Sequence, residues 1–292
     1  MKGIRERGHP LRFGIVTPPM WRSWDELLDL WTRAERCGFD LAFNTDHFQS
    51  DWEGDAGPTL EAWTTVAAMA REVPRIQVGT YVNGITHRPV AVLAKQAVTV
   101  DHLSGGRLIL GLGAAWNVPE HTAYGIPFPP VGDRVGLVEE ALEALRRLET
   151  EPRTTLDGRY LQLRDAPFEP KPVHGHIPIL IGSTRPRMLR AAARHADLVD
   201  FGDAGADEIT RIGAELAADC AAAGRDPDAI AWTHETIAGP DPAAELEARV
   251  AALAPLGVSV FLVNIWPRRD PGLVDRAGRA LDGLRRRWAA AT

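Results

Sequence analysis

The chain has 292 residues, 45% hydrophobic and 25% charged, an ordinary globular composition. At that length a chain buries roughly three quarters of its unfolded surface in one large core or two small ones. The net charge of −6 argues against a nucleic-acid partner, which calls for a basic patch, and Arg285-Arg286-Arg287 reads as one solvated face of the last helix.

In chain order, a first strand is predicted over 11–17, ending at Pro18-Pro19. Ser23 then caps a helix to residue 36, with Leu27, Leu28, Trp31 and Ala34 at helical spacing. A second strand over 39–44 leads into Thr45-Asp46-His47-Phe48 and a loop rich in Gly, Asp and Pro. A helix over 59–70, a strand over 75–83 and a helix over 89–102 follow. A strand over 107–112 comes next, and after a long loop a helix over 133–148. Residues 149–176 break the rhythm, with a small hairpin over 154–163 about Asp157-Gly158. Alternation resumes with strands at 177–181, 197–201, 229–237 and 258–264, each followed by a helix, at 186–195, 207–223, 243–254 and 273–289. These alternating pairs predict a single α/β domain over 1–292, a (β/α)8 TIM barrel with an inserted hairpin excursion around 149–176. A doubly wound open sheet is the alternative, and the number of repeats weighs against it. Cys37 and Cys220 fall in separate helical stretches, which fits a reducing cytosol rather than a disulfide framework. The first ten residues lack the apolar core of a secretory leader and no apolar run reaches membrane-spanning length. A soluble, cytoplasmic protein without a membrane partner is therefore expected.

In such a barrel the site lies at the carboxyl ends of the strands. One rim should then gather Asp46-His47, Tyr81 to Asn83, Gly113 to Trp116, Gly182 to Arg185, Gly202-Asp203 and Asn264 to Trp266. The stretch 98–117 reads as a helix end capped at Ser104-Gly105-Gly106, a buried strand, and a loop almost without side-chain bulk before Trp116. Small residues past a strand let backbone N–H groups approach an anion, and Gly182-Ser183-Thr184-Arg185 repeats the arrangement with a cation beside it. Either loop can equally be a plain short connection. Asp46-His47 is the candidate for proton chemistry, since a carboxylate tunes a neighbouring imidazole across neutrality. The bland alternative is a histidine bonded to its own loop. His87, His102, His121, His174, His176 and His234 show no metal-binding spacing on one element, so no metal is expected. No GxSxG elbow and no full GxGxxG fingerprint are present. Trp24, Trp31, Trp63 and Trp288 fall on helices as packing groups; Trp52, Trp116 and Trp266 fall on rim loops and suit the wall of a flat ring.

The segments DLAFNTDHF, LEAWTTVAAMA, RIQVGTYVNGITHRPVAVLAKQAVTVDHLSGGRLILGLGAAW, GIPFPP and HIPILIGSTRPRML together resemble the luciferase-like monooxygenase family. TDHF tilts the resemblance towards its branch dependent on the deazaflavin coenzyme F420; the likeness runs from about residue 13 to 201. It implies a homodimeric (β/α)8 barrel with the cofactor ring in its mouth, acting on a small-molecule substrate. His47 and Asp46 would be the catalytic pair, with His47 exchanging the substrate proton and Asp46 orienting it. Tyr81, Val82, Asn83, Gly113, Ala114, Ala115, Trp116, Gly182, Ser183, Thr184 and Arg185 would hold the cofactor. A non-proline cis peptide is implied at Tyr81–Val82. Two departures stand out: Ala115 replaces a glycine, and Trp116 stands where sugar-phosphate dehydrogenases of the family carry a glutamate, leaving no evident general acid in that loop. The runner-up function is a monooxygenase using reduced flavin mononucleotide (FMN). A cofactor-binding barrel without catalysis and, more weakly, a metal-dependent hydrolase complete the alternatives.

Overall fold

A computed structural model describes residues 8–50, 57–267 and 270–290. Strand and helix alternate through β1 (Arg12–Val16), α1 (Trp24–Arg36), β2 (Leu41–Asn44), α2 (Ala62–Glu72), β3 (Gln77–Gly84), α3 (Val90–Ser104) and β4 (Leu108–Gly113). A short helix α4 (Val118–Ala123) precedes the long α5 (Val131–Thr150), and the excursion is the antiparallel pair β5 (Arg153–Asp157) and β6 (Gln162–Pro167). The alternation then completes with β7 (Ile179–Ile181), α6 (Pro186–His195), β8 (Leu198–Asp200), α7 (Ala206–Ala222), β9 (Ala231–Ile237), α8 (Pro242–Leu253), β10 (Val258–Asn264) and α9 (Leu273–Ala290). All strands but β5 and β6 close into one parallel barrel in the order β1-β10-β9-β8-β7-β4-β3-β2. This is the (β/α)8 TIM barrel the alternation predicts; the open-sheet alternative falls away because β1 pairs with both β2 and β10.

Local chemistry places the elements. Ser23 accepts from the Glu26 N–H (3.3 Å) while Glu26 accepts from the Ser23 N–H (2.7 Å), so a reciprocal cap starts α1 where the sequence indicates. Gly105 ends α3 at φ +70°, in the left-handed region that glycine enters without a steric penalty. The predicted helix 59–70 instead begins at Ala62, because Glu61 accepts from the N–H groups of Trp63 and Thr64. The six-residue α4 lies inside what reads as a long loop. Its signal was Asn117-x-x-Glu120, with the Asn117 side chain accepting from the Glu120 N–H (3.4 Å).

Period-two alternation sorts each strand between two cores. On β10, Val260 and Leu262 point into the lumen with Leu41, Phe43, Ile109, Leu180 and Leu198, while Val258, Phe261 and Val263 pack outward against the helices. The pattern breaks at Tyr81 and Val82: both side chains pack against the lumen core, the register with β4 shifts there, and the Tyr81–Val82 peptide is cis, as the resemblance implies. Val82 occupies the space that side chains at Gly111, Gly113 and Gly182 would fill, coming within 2.8–3.0 Å of their missing Cβ positions. These glycines make room for the bulge.

Candidate active site

A cavity of about 580 Å³ opens at the carboxyl ends of the strands. Asp46, His47, Tyr81, Val82, Asn83, Gly113, Ala114, Ala115, Trp116, Gly182, Ser183 and Arg185 line it, so the predicted rim residues converge from β2, β3, β4 and β7. Thr184, Gly202, Asp203 and residues 264–266 do not line it, and Trp52 lies outside the described residues. Trp116 is 66% exposed and meets His47 edge-on at 5.5 Å, whereas the Trp266 carbonyl is taken up by Arg22 (3.0 Å).

One expectation is corrected here. Asp46 does not orient His47. Its carboxylate is 2% exposed and accepts both Arg88 nitrogens (2.7 and 2.8 Å), His87 Nδ1 (3.1 Å) and the Gly84 N–H (3.3 Å). Burial favours the neutral acid, but the bonds from Arg88 and His87 outweigh it and hold the carboxyl down at about 2. His47 Nδ1 instead meets Glu120 Oε2 (3.1 Å), and Glu120 Oε1 accepts the Phe48 N–H (2.5 Å). Glu120 is fully buried; burial pushes its carboxyl up, and His47 and the Phe48 N–H pull it net below the usual range. Glu120, four residues past Trp116 on α4, is thus the carboxylate that meets His47. A second histidine joins the two carboxylates, His87 Nε2 lying 3.6 Å from Glu120 Oε2.

His87, Glu120 and His121 bring potential metal-ligand atoms within 4.8 Å of one another, a grouping no single-element spacing reveals because two elements supply it. Both His121 nitrogens are engaged. The Asn117 carbonyl (2.7 Å) fixes the proton on Nδ1, so Thr86 Oγ1 donates to Nε2 (2.6 Å). Burial pushes His121 below the ordinary imidazole value, which keeps the ring neutral.

The opposite wall is cationic. Arg134 on α5 is only 8% exposed; Nε donates to the Ala114 carbonyl (2.9 Å), Nη1 to Pro129 (2.5 Å), and the guanidinium lies 3.7 Å over Phe128. Among the described residues no carboxylate pairs with Arg134 or Arg185. Burial draws the Arg134 pKa down, as expected for a cation short of countercharge. The N-termini of α5 and α6 end at Pro130 and Arg185, neither with a side-chain cap bond. Orphan N–H groups, the helix-end field and two unpaired guanidiniums therefore face one cavity, an arrangement that favours an anionic ligand. Arg134 was not singled out in the sequence, where it looks like any polar residue on an amphipathic helix. Ala115 sits between the two walls at φ +59°, the left-handed conformation its missing glycine leads one to expect.

Fold and site define a (β/α)8 barrel with a strand-end pocket that has one cationic wall. The chain belongs to the luciferase-like monooxygenase family, whose sequence profile matches residues 9–291. It is 37% identical over 175 residues to an F420-dependent glucose-6-phosphate dehydrogenase of Intrasporangium calvum, a match covering 59% of this chain and 52% of that relative. An uncharacterised protein of Mycobacterium tuberculosis is 33% identical over 216 residues, 72% of this chain and 71% of the relative. Among solved structures, an F420-dependent secondary alcohol dehydrogenase in complex with an F420–acetone adduct superposes with TM-score 0.85 at 18% identity, covering 94% of this chain and 99% of that one. A long-chain alkane monooxygenase does so with TM-score 0.79 at 14% identity, covering 96% and 92%. Those likenesses establish the fold. Among the described residues no helix is long and apolar enough to cross a membrane.

Proposed function

We propose that this protein is an oxidoreductase that binds coenzyme F420 and exchanges a hydride between it and a small organic substrate. The observation that carries this reading is the pairing of a cationic wall with a half-buried imidazole held by a buried carboxylate across one cavity. F420 joins a flat tricyclic ring to a phosphate-bearing acidic tail. Arg134, Arg185, Ser183 and the open helix ends would hold the tail, and the Tyr81–Val82 bulge would back the ring. When bound, the cofactor supplies a hydride donor or acceptor carbon. The chain's own part is proton handling and orientation. Glu120 commits His47 Nδ1 as the protonated nitrogen, so exchange with a cavity ligand falls to Nε2. The carboxylate then steadies the imidazolium that forms when a hydroxyl proton is taken up. Asp46 is a structural anchor: it fixes Arg88 and His87 beneath the site.

The monooxygenase neighbour supports a second reading, in which reduced FMN fills the same wall. Titrating purified protein with F420 and with FMN, read by tryptophan quenching, separates the two. Micromolar saturation by F420 and not FMN is expected. With the winning cofactor, H47A should lower turnover by about 100-fold or more while cofactor affinity stays within several-fold. Unchanged turnover in H47A rejects the proton-transfer role.

A further inference from the structure

The end of β8 and β9 carries polar groups that the proton chemistry above does not use. Leu198 and Ala231 belong to the lumen core, so alternation sends Asp200, Thr233 and Glu235 inward above them; Val260 and Leu262 do the same for Asn264. Asp200 stands opposite Thr233 in the register and accepts from its hydroxyl (2.7 Å) and from the Gly202 N–H (3.1 Å). Tyr81 and Asp200 both line the cavity. The Tyr81 hydroxyl is buried beside Asp200 but outside hydrogen-bond geometry. Asn264 is 7% exposed, and its Oδ1 also lacks a hydrogen-bond partner. The Tyr81 hydroxyl, which lines the cavity, is a deficit that a ligand can fill. The layer itself holds no cation; Arg249, which Glu235 senses, comes from α8 and donates to the Leu262 carbonyl (3.2 Å).

Resting on the oxidoreductase reading, we propose that Tyr81 and Asp200, backed by Glu235 and Asn264, form the subsite for the substrate's polar head, and that it takes an uncharged hydroxyl-bearing group while rejecting phosphates and carboxylates. Hydroxyls both donate and accept, which matches a lining that offers a phenol O–H and a carboxyl. An incoming anion finds no cation in this layer, so the cost of stripping its water is not recovered there. Burial also pushes Asp200 and Glu235 up towards their neutral forms, which weakens any claim of an ammonium on the site. The anionic arm of a ligand has the Arg134 wall; its reacting head does not. The site therefore differs in kind from one built for a sugar phosphate.

Three probes of one shape and three charges test this: 1-phenylethane-1,2-diol, mandelate and 2-amino-1-phenylethanol. Each is titrated into the protein alone and into protein saturated with F420, with fluorescence as the readout. The diol is expected to bind at least tenfold more tightly than either charged analogue. In D200N the advantage of the diol over mandelate should shrink at least fivefold. In Y81F, diol affinity should fall at least fivefold. Mandelate or the amine binding as tightly as the diol overturns the proposal, as does a Y81F variant with unchanged diol affinity. The F420 titration reports separately on the cofactor reading: selectivity for the diol without F420 binding leaves the subsite standing and sinks the cofactor assignment.

Discussion

The two ends of this barrel treat charge in opposite ways. At the amino ends of the strands, Arg146 donates to the His195 (2.7 Å) and Ile177 (3.0 Å) carbonyls and to Glu149 (3.0 Å) and Asp197 (2.6 Å). Asp197 and Glu149 in turn accept from the N–H groups of Ile179 and Ile177, and Arg107 likewise ends on backbone carbonyls at the close of α2 and α3. The donors of both guanidiniums there meet carbonyl or carboxylate acceptors. At the carboxyl ends, Arg134 and Arg185 lack carboxylate partners among the described residues, two long helices start without side-chain caps, and Tyr81 and Asn264 keep unpartnered polar atoms. A fold selected for stability alone removes such deficits. The two guanidiniums and the Tyr81 hydroxyl share one cavity, which is where a ligand would complete the structure, and the Arg146 network below shows what holds the mouth in place.

Within the mouth, the Asp46–Arg88 pair belongs to the structural side of this contrast, and D46A gives the largest expected effect. It leaves Arg88 buried without its countercharge and should destabilise by about 3–5 kcal/mol in denaturant unfolding. The same pair has a pH signature. Asp46 at about 2 lies below the ordinary 3.8, so its contribution, about 2.5 kcal/mol, is present above pH 3.8 and lost as pH falls through 2. Unfolding of D46A that matches wild type places the pair outside the stabilising framework.

Arg134 sharpens the contrast from the other side. R134M should weaken binding of F420 by about 30- to 100-fold, the worth of a charge-assisted contact of about 2–3 kcal/mol, and lower stability by only about 1–3 kcal/mol for the Ala114 and Pro129 carbonyls left without a donor. A large loss of stability with little loss of affinity reverses the assignment. Below the barrel, Asp197 and Glu149 raise His176 to about 9 from 6.5. A raised value means the stabilisation is full below pH 6.5 and disappears as pH rises through 9. With a side chain 45% exposed and screened by solvent, H176Q should cost about 1 kcal/mol at pH 6 and nothing by pH 10. The smallest effect is expected at Ala115. A115G relieves about 1–2 kcal/mol of left-handed strain against about 0.5–1 for added chain freedom, so it should raise stability by about 0.5 kcal/mol in thermal unfolding.

Much of this was legible in the residue order. Alternating periodicities gave every barrel strand to within a few residues, since each needs only local contrast between apolar runs and capped helices. The convergence of Asp46, His47, Gly113 and Gly182 followed from the barrel rule alone, and the cis peptide from family resemblance. What escaped depends on pairing across distance. Glu120 reaches His47 over 73 positions, and nothing near His47 announces it. Asp46 and His47 are adjacent but engage different partners, so adjacency suggested a dyad that the geometry does not contain. Arg134 looks solvated in sequence; the Ala114 and Pro129 carbonyls and the Phe128 ring that cover it come from the preceding loop. Asp200 closes an apolar strand, and only alternation inside a closed lumen shows that it faces ligand.

The central claim is that the unpaired cations of the mouth grip the charged arm of the cofactor. Its most direct test is a calorimetric comparison of F420 with its deazariboflavin head, which lacks phosphate and tail, on wild type and R134M. Tight binding of intact F420 to wild type alone, with the head binding weakly and equally to both proteins, is the predicted result. Equal affinity of the head and the intact cofactor for wild type contradicts the account.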